Sequence, residues 1–180
     1  MLYTIKFDAT GAPESYSQYS DADDAPDPLP AGEVECSAEQ YANWQGCVLQ
    51  KGSIVAAPEA TLVAAARIAQ TTALMAACAS AIVSGFTSSA LGAPHGYPST
   101  MNDQANQKTI AQCASGGLLW CNSGGAWSFA QHTQTQADQV IADFAKWLNG
   151  CQSQLVALSE QVSQAETVAT VQAVKWTNPA

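Results

Sequence analysis

From Thr133 to Trp176 the chain carries a repeat that few folds can absorb. Ala137, Ile141, Phe144, Leu148, Cys151, Leu155, Leu158, Val162, Ala165 and Ala169 place an apolar or small residue at alternating steps of four and three. A helix turns every ~3.6 residues, so a seven-residue repeat keeps one narrow stripe facing a partner and favours left-handed supercoiling. Thr133 and Gln136 have the spacing of a capping box, which sets the start of the helix. The expectation is one helix over about 133–175, a rod of roughly 60 Å at ~1.5 Å per residue. Such a rod serves either as a coiled coil between copies or as the long helix of a bundle. Asn149-Gly150 interrupts it with a familiar helix-ending pair. The stripe keeps its register across that pair, which predicts a continuous or gently kinked helix rather than two helices folded back on each other.

The composition narrows the partners. Fifteen acidic residues against six basic ones give a net charge of −9, which excludes the positive footprint that nucleic acid or an anionic membrane surface requires. Only 12% of residues are charged, so much of the surface reads as meant to be covered. The start, Met1-Leu-Tyr-Thr-Ile-Lys6, lacks the basic opening and apolar stretch of a signal peptide, and no uninterrupted run of about 18 apolar residues occurs. The expectation is a cytosolic product in which Cys36, Cys47, Cys78, Cys113, Cys121 and Cys151 are reduced core thiols.

The rest of the chain reads as a small β-rich head over 1–57 followed by a helical domain over 58–180. Leu2–Phe7 suits a short strand, and Gly11 marks a turn. The stretch of about 20–31, rich in Asp and Pro, is an acidic arm; it lacks the Gly and terminal Glu of a calcium loop. Glu33–Cys36 reads as a strand, Ser37 with Gln40 as a capping box for a short helix, and Cys47–Val55 as a hairpin turning at Lys51-Gly52. Pro58 opens an Ala-rich helix to about Ser84. Its stripe of Leu62, Ala65, Ala69, Thr72, Ala76, Ala79 and Val83 also steps by three and four, but with small side chains. Phe86–Thr100 reads as a turn-rich connection, and a third helix runs from about Thr100 to Ala114. Trp120 and Trp127 flank Ser123-Gly-Gly125 in a β-hairpin insert at about 117–131. The fold class expected is therefore mainly α: β-rich head, Ala-rich helix, hairpin, and long C-terminal heptad helix in a helical bundle or coiled coil.

Catalytic chemistry has no nominee in this pattern. His95 and His132, with Cys113 and Cys121, lack zinc-ligand spacing, and no cysteine sits in a nucleophile motif. No Gly-rich phosphate loop occurs, and the carboxylates cluster in the arm rather than as a spaced pair. No catalytic residue, metal or cofactor is expected, and the chain reads as a non-enzyme.

Two segments resemble known proteins. Residues 68–176 carry Gly85-Phe86, Leu91-Gly92, His95-Gly-Tyr-Pro98, Asp103-Gln-Ala-Asn106, Trp120 to Trp127, His132-Thr133 and Val-Lys-Trp176. They resemble an uncharacterised domain family in proteins encoded beside tail-fibre genes of tailed bacteriophages. Residues 28–58, with Pro28-Leu-Pro-Ala-Gly-Glu-Val-Glu-Cys36 and Gly52-Ser-Ile-Val55, look like the front part of phage tail-fibre assembly proteins. The resemblance implies a structural component of a virion tail, joining or decorating fibres at the baseplate and assembled in the host cytoplasm. An assembly chaperone for the fibre is the alternative it also implies. Partners would be other copies, as a homotrimer, and fibre or baseplate proteins. In such an object His95, Tyr97, Asp103, Asn106 and His132 are expected to fix the corner between helices by bonds to backbone. A third reading is a small-ligand or carbohydrate-binding module using Trp120, Trp127 and Tyr97.

Overall fold

A computed structural model describes residues 1–21 and 23–179. Ala22, inside the expected acidic arm, and Ala180, the last residue of the expected helical domain, lie outside the described residues. The chain divides into two compact units, Met1–Ala65 and Ala66–Ala180.

The first unit is built on strand β1 (Leu2–Phe7). It is the centre of an antiparallel sheet, flanked by β2 (Pro13–Tyr19) and β3 (Glu33–Cys36). Ile5 and Phe7 point from β1 into a core that also holds Cys47, with Val34, Leu49 and Ile54 packed against it. Helix α1 (Ala38–Ala42) starts from a capping box in which Ser37 and Gln40 bond each other's backbone amides. A hairpin of β4 (Cys47–Gln50) and β5 (Ser53–Ala56) turns at Lys51 and Gly52, with φ of 50° and 80°. Positive φ at both central residues matches the natural twist of a two-residue hairpin.

Helix α2 (Glu59–Val83) leads into the second unit. There β6 (Phe86–Ser88), β7 (His95–Tyr97), β8 (Gly117–Ser123) and β9 (Ala126–His132) form a four-stranded antiparallel sheet in that order. Helix α3 (Met101–Ala111) connects β7 to β8; α4 (Gln134–Gln164) and α5 (Val168–Ala173) follow the sheet. Phe86, Tyr97, Leu119 and Cys121 on the inner sheet face meet Ala137 and Val140 of α4, with Ile141, Phe144 and Trp147 packed alongside. A second cluster joins Cys151 and Leu155 of α4 to Cys78, Ala81 and Ile82 of α2, with Trp176 from the C-terminal tail.

This architecture corrects the expectation of a mainly α chain: the described residues are a mixed α/β protein, 46% helical and 25% strand, with three antiparallel sheets and five helices. The strands that pattern reading passed over are β2, β6 and β7. The first, Pro-Glu-Ser-Tyr-Ser-Gln-Tyr, is polar, and the other two have three residues each. Their order comes from pairing across a connection to the neighbouring strand, as Phe86 opposite Tyr97 and Ile5 opposite Tyr16, not from local alternation.

Helix α4 is continuous through Gly150. The glycine has a tertiary reason: a Cβ there would stand 3.3 Å from the ring of Pro179, where the C-terminal tail crosses the helix. The helix ends at Gln164, earlier than the repeat suggests. The Arg67 guanidinium of α2 donates to the Ala165 carbonyl at 2.7 and 3.2 Å, and Thr167 caps a separate helix, α5. Ala165 is therefore a cap and Ala169 lies exposed on α5, beyond the α4 stripe.

Candidate functional site

Of the five corner residues, Tyr97 and His132 bond each other, His95 and Asp103 make separate local bonds, and Asn106 makes none to another described residue. His132 is fully buried; its Nδ1 lies 2.9 Å from the Ala130 carbonyl and its Nε2 2.8 Å from the Tyr97 hydroxyl. A carbonyl can only accept, so Nδ1–H donates to it and Nε2 accepts the phenol proton. Burial, followed by the proximity of Cys121 and Asp143, pushes the Tyr97 phenol up to about 12, which keeps it a donor. Asp103 closes the capping box of α3 with Thr100, and the His95 Nδ1 bonds the Ala93 carbonyl at 2.8 Å. Asn106 stands exposed on α3.

Three further side chains complete the corner without an obvious sequence signal. Ser99 accepts from Gly85 N–H and donates to the Ile82 carbonyl, tying the end of α2 to the start of α3. Ser88 donates to Asp143 of α4 at 2.6 Å, and Gln107 donates to the Pro98 carbonyl. Serine and glutamine are too common for their spacing to have marked them. Arg67 could have been noticed as the lone charge between Ala60 and Val83.

The hairpin aromatics behave differently. Cross-strand pairs Trp120–Phe129 and Asn122–Trp127, with Leu118, put four large apolar side chains on the outer face of β8–β9. Leu118, Trp120, Trp127 and Phe129 are 56, 41, 47 and 64% exposed. The two indoles lie nearly parallel, 13° apart with centroids at 6.3 Å, and the Phe129 ring meets Trp120 edge-on at 4.8 Å. Between this face and α3 runs a cleft of about 420 Å³, lined on the helix side by Asp103, Asn106, Gln107 and Thr109. Tyr97, the third aromatic expected at a ligand site, has no exposed surface and cannot take part. A larger cleft of about 810 Å³ lies between β6, α4 and the tail, with Asp143 and Lys146 among its walls.

The two helical stripes also part company. On α4, Ala137, Cys151, Leu158 and Val162 are buried, while Ile141, Phe144, Leu148 and Leu155 are half-buried. That seam packs against the chain's own sheet, α2 and α3. On α2 the inward residues are Val63, Leu74, Cys78 and Ala81, whereas Ala65, Ala69, Thr72, Ala76, Ala79 and Val83 are exposed and Leu62 is half-buried. Helix α2 is long and apolar enough to cross a membrane, and only 17% of its most apolar eighteen residues is buried.

All six cysteines are free. Burial pushes the thiols of Cys47, Cys78, Cys121 and Cys151 up, away from the thiolate form that metal binding or nucleophilic attack needs. Among the described residues no group of three or more His, Cys, Asp or Glu is placed to hold a metal ion. Comparison with known proteins finds no matching family model, no matching curated protein and no matching solved structure.

Proposed function

We propose that the chain is a non-enzymatic structural component of a bacteriophage tail, joining or decorating tail fibres at the baseplate after assembly in the host cytoplasm. The observation that carries the reading is the outer face of α2, an apolar helix surface that the other described residues of the second unit leave uncovered. Ile68 and Met75, 71 and 57% exposed, flank the small residues of the stripe. Small side chains let helices approach to ~8 Å, so a matching helix of another copy is a suitable cover. The only charge between Ala60 and Val83 is Arg67, which is turned to the Ala165 carbonyl. Copies with a net charge of −9 each would meet where like charges are fewest. In this reading three copies associate through α2, and fibre or baseplate proteins bind other faces.

The sequence resemblance supports the same assignment. Its scattered positions include residues that lock the second unit: Phe86 stacked on Tyr97, Tyr97 bonded to His132, Asp103 capping α3, and Trp176 against the Cys78–Cys151 cluster. A fibre-assembly chaperone is the second reading. Strand β9 favours it: one side of its ladder is free at the sheet edge, where an extended segment of an incomplete fibre could add a strand. Quantitative mass spectrometry of purified particles from the phage that encodes the chain separates the two. Presence in stoichiometric ratio to tail proteins is expected; presence only in fibre complexes from the lysate selects the chaperone, and absence from both contradicts each reading.

A further inference from the structure

We propose that the cleft between α3 and the outer face of β8–β9 binds a neutral pyranoside, with Trp120 as its stacking wall and Asp103 and Asn106 as its hydroxyl-binding groups. One wall is aromatic and exposed. The negative π-face of an indole attracts the polarised C–H bonds on one face of a sugar ring, and near-parallel Trp120 and Trp127, with Phe129 against the edge, extend that surface. Neither indole N–H bonds another described residue, so both are free to donate.

The opposite wall sets polar groups of α3 beside Pro98 and Ile110. Asp103 uses Oδ2 for the Thr100 cap, while Oδ1 bonds no other described residue. The free Asn106 amide lies three residues on, which places it on the same face of α3. A carboxylate oxygen and an amide one turn apart offer two acceptors and a donor pair, the complement of adjacent ring hydroxyls. Charge selects among hydroxyl-rich ligands. The cleft lining contains no Lys, Arg or His, so a phosphate or an acidic sugar finds no counter-charge; Asp103 is its single carboxylate, so a cation finds no second one. About 420 Å³ falls within the range of small-ligand sites and holds one or two sugar rings rather than a protein domain.

Saturation-transfer NMR on the full chain tests this, using the methyl glycosides of glucose, galactose, mannose and N-acetylglucosamine at millimolar concentration. Transfer to at least one glycoside is expected, with the ring C–H protons strongest. Asn106→Ala, which removes no bond within the described structure, should weaken it about tenfold; Trp120→Ala should abolish it with the far-ultraviolet dichroism unchanged. Absence of transfer to all four glycosides overturns the proposal. So does transfer that survives both substitutions, or binding of an apolar dye at Trp120 without glycoside binding, which would make the face a protein-docking surface. The tail assignment and the α2 association do not depend on this result.

Discussion

Helices α2 and α4 both carry stripes stepping by three and four, and only one of them is covered within the second unit. The difference lies in side-chain reach. Phe144, Trp147, Leu155 and Leu158 of α4 are large enough to span to the sheet and to α2, so the seam closes inside the chain. Ala69, Thr72, Ala76 and Ala79 of α2 are short and stay exposed, and a second helix brought close would desolvate them. Heptad spacing therefore says that a stripe needs covering, and the volume of its residues helps to say by what. A wide stripe of large residues builds a core, whereas a stripe of small ones awaits a close-fitting neighbour.

Charge insertion breaks this comparison most sharply. Val140→Asp puts a carboxylate at a fully buried position of α4 and should cost more than about 4 kcal/mol, enough to unfold the second unit in a thermal melt. The same charge on α2, as Thr72→Asp, should change the stability of an isolated chain by no more than about 0.5 kcal/mol. Equal losses would mean that the outer face of α2 is covered within the chain. Tyr97→Phe should destabilise by roughly 1–3 kcal/mol in urea, because it leaves His132 Nε2 buried without its donor.

Alkaline titration sharpens the same point. The Tyr97 pKa rises on folding from an ordinary 10.0 to about 12, so its contribution is complete below pH 10 and is lost as pH climbs toward 12. The raised thiols of Cys78, Cys121 and Cys151 act in the same direction. Stability of the second unit should fall across that window, and less steeply in Tyr97→Phe. Gly150→Ala probes the tail that crosses α4. Restoring helix propensity gains up to ~1 kcal/mol if Pro179 shifts by a few tenths of an ångström, whereas a net loss in the urea midpoint would show the tail to be locked onto α4.

What could be read in advance was local. The capping boxes at Ser37 and Thr133 need only residues three apart, and the Lys51-Gly52 turn only two adjacent ones; all are present. What could not be read depends on partners far along the chain. Strands β6 and β7 exist because Phe86 faces Tyr97 and Gly96 faces Asn122, and Gly150 is explained by a proline twenty-nine positions away. The stripe on α4 was legible, but whether another copy or the chain's own sheet, α3 and α2 would fill it was not, since each satisfies the same periodicity. At the candidate site, Trp120 and Trp127 stood out by their rarity. Asp103 and Asn106 were legible as polar groups, but only the fold sets them across a cleft from Trp120.

The measurement that bears most directly on the account is the solution mass of the purified chain over a range of concentrations, beside Ile68→Asp and Met75→Asp. A stable species of three times the 18.7 kDa chain mass is expected, falling to a single folded chain in both variants. A mass of 18.7 kDa at every concentration, or a trimer indifferent to both substitutions, would contradict the assignment of the α2 face to a second copy.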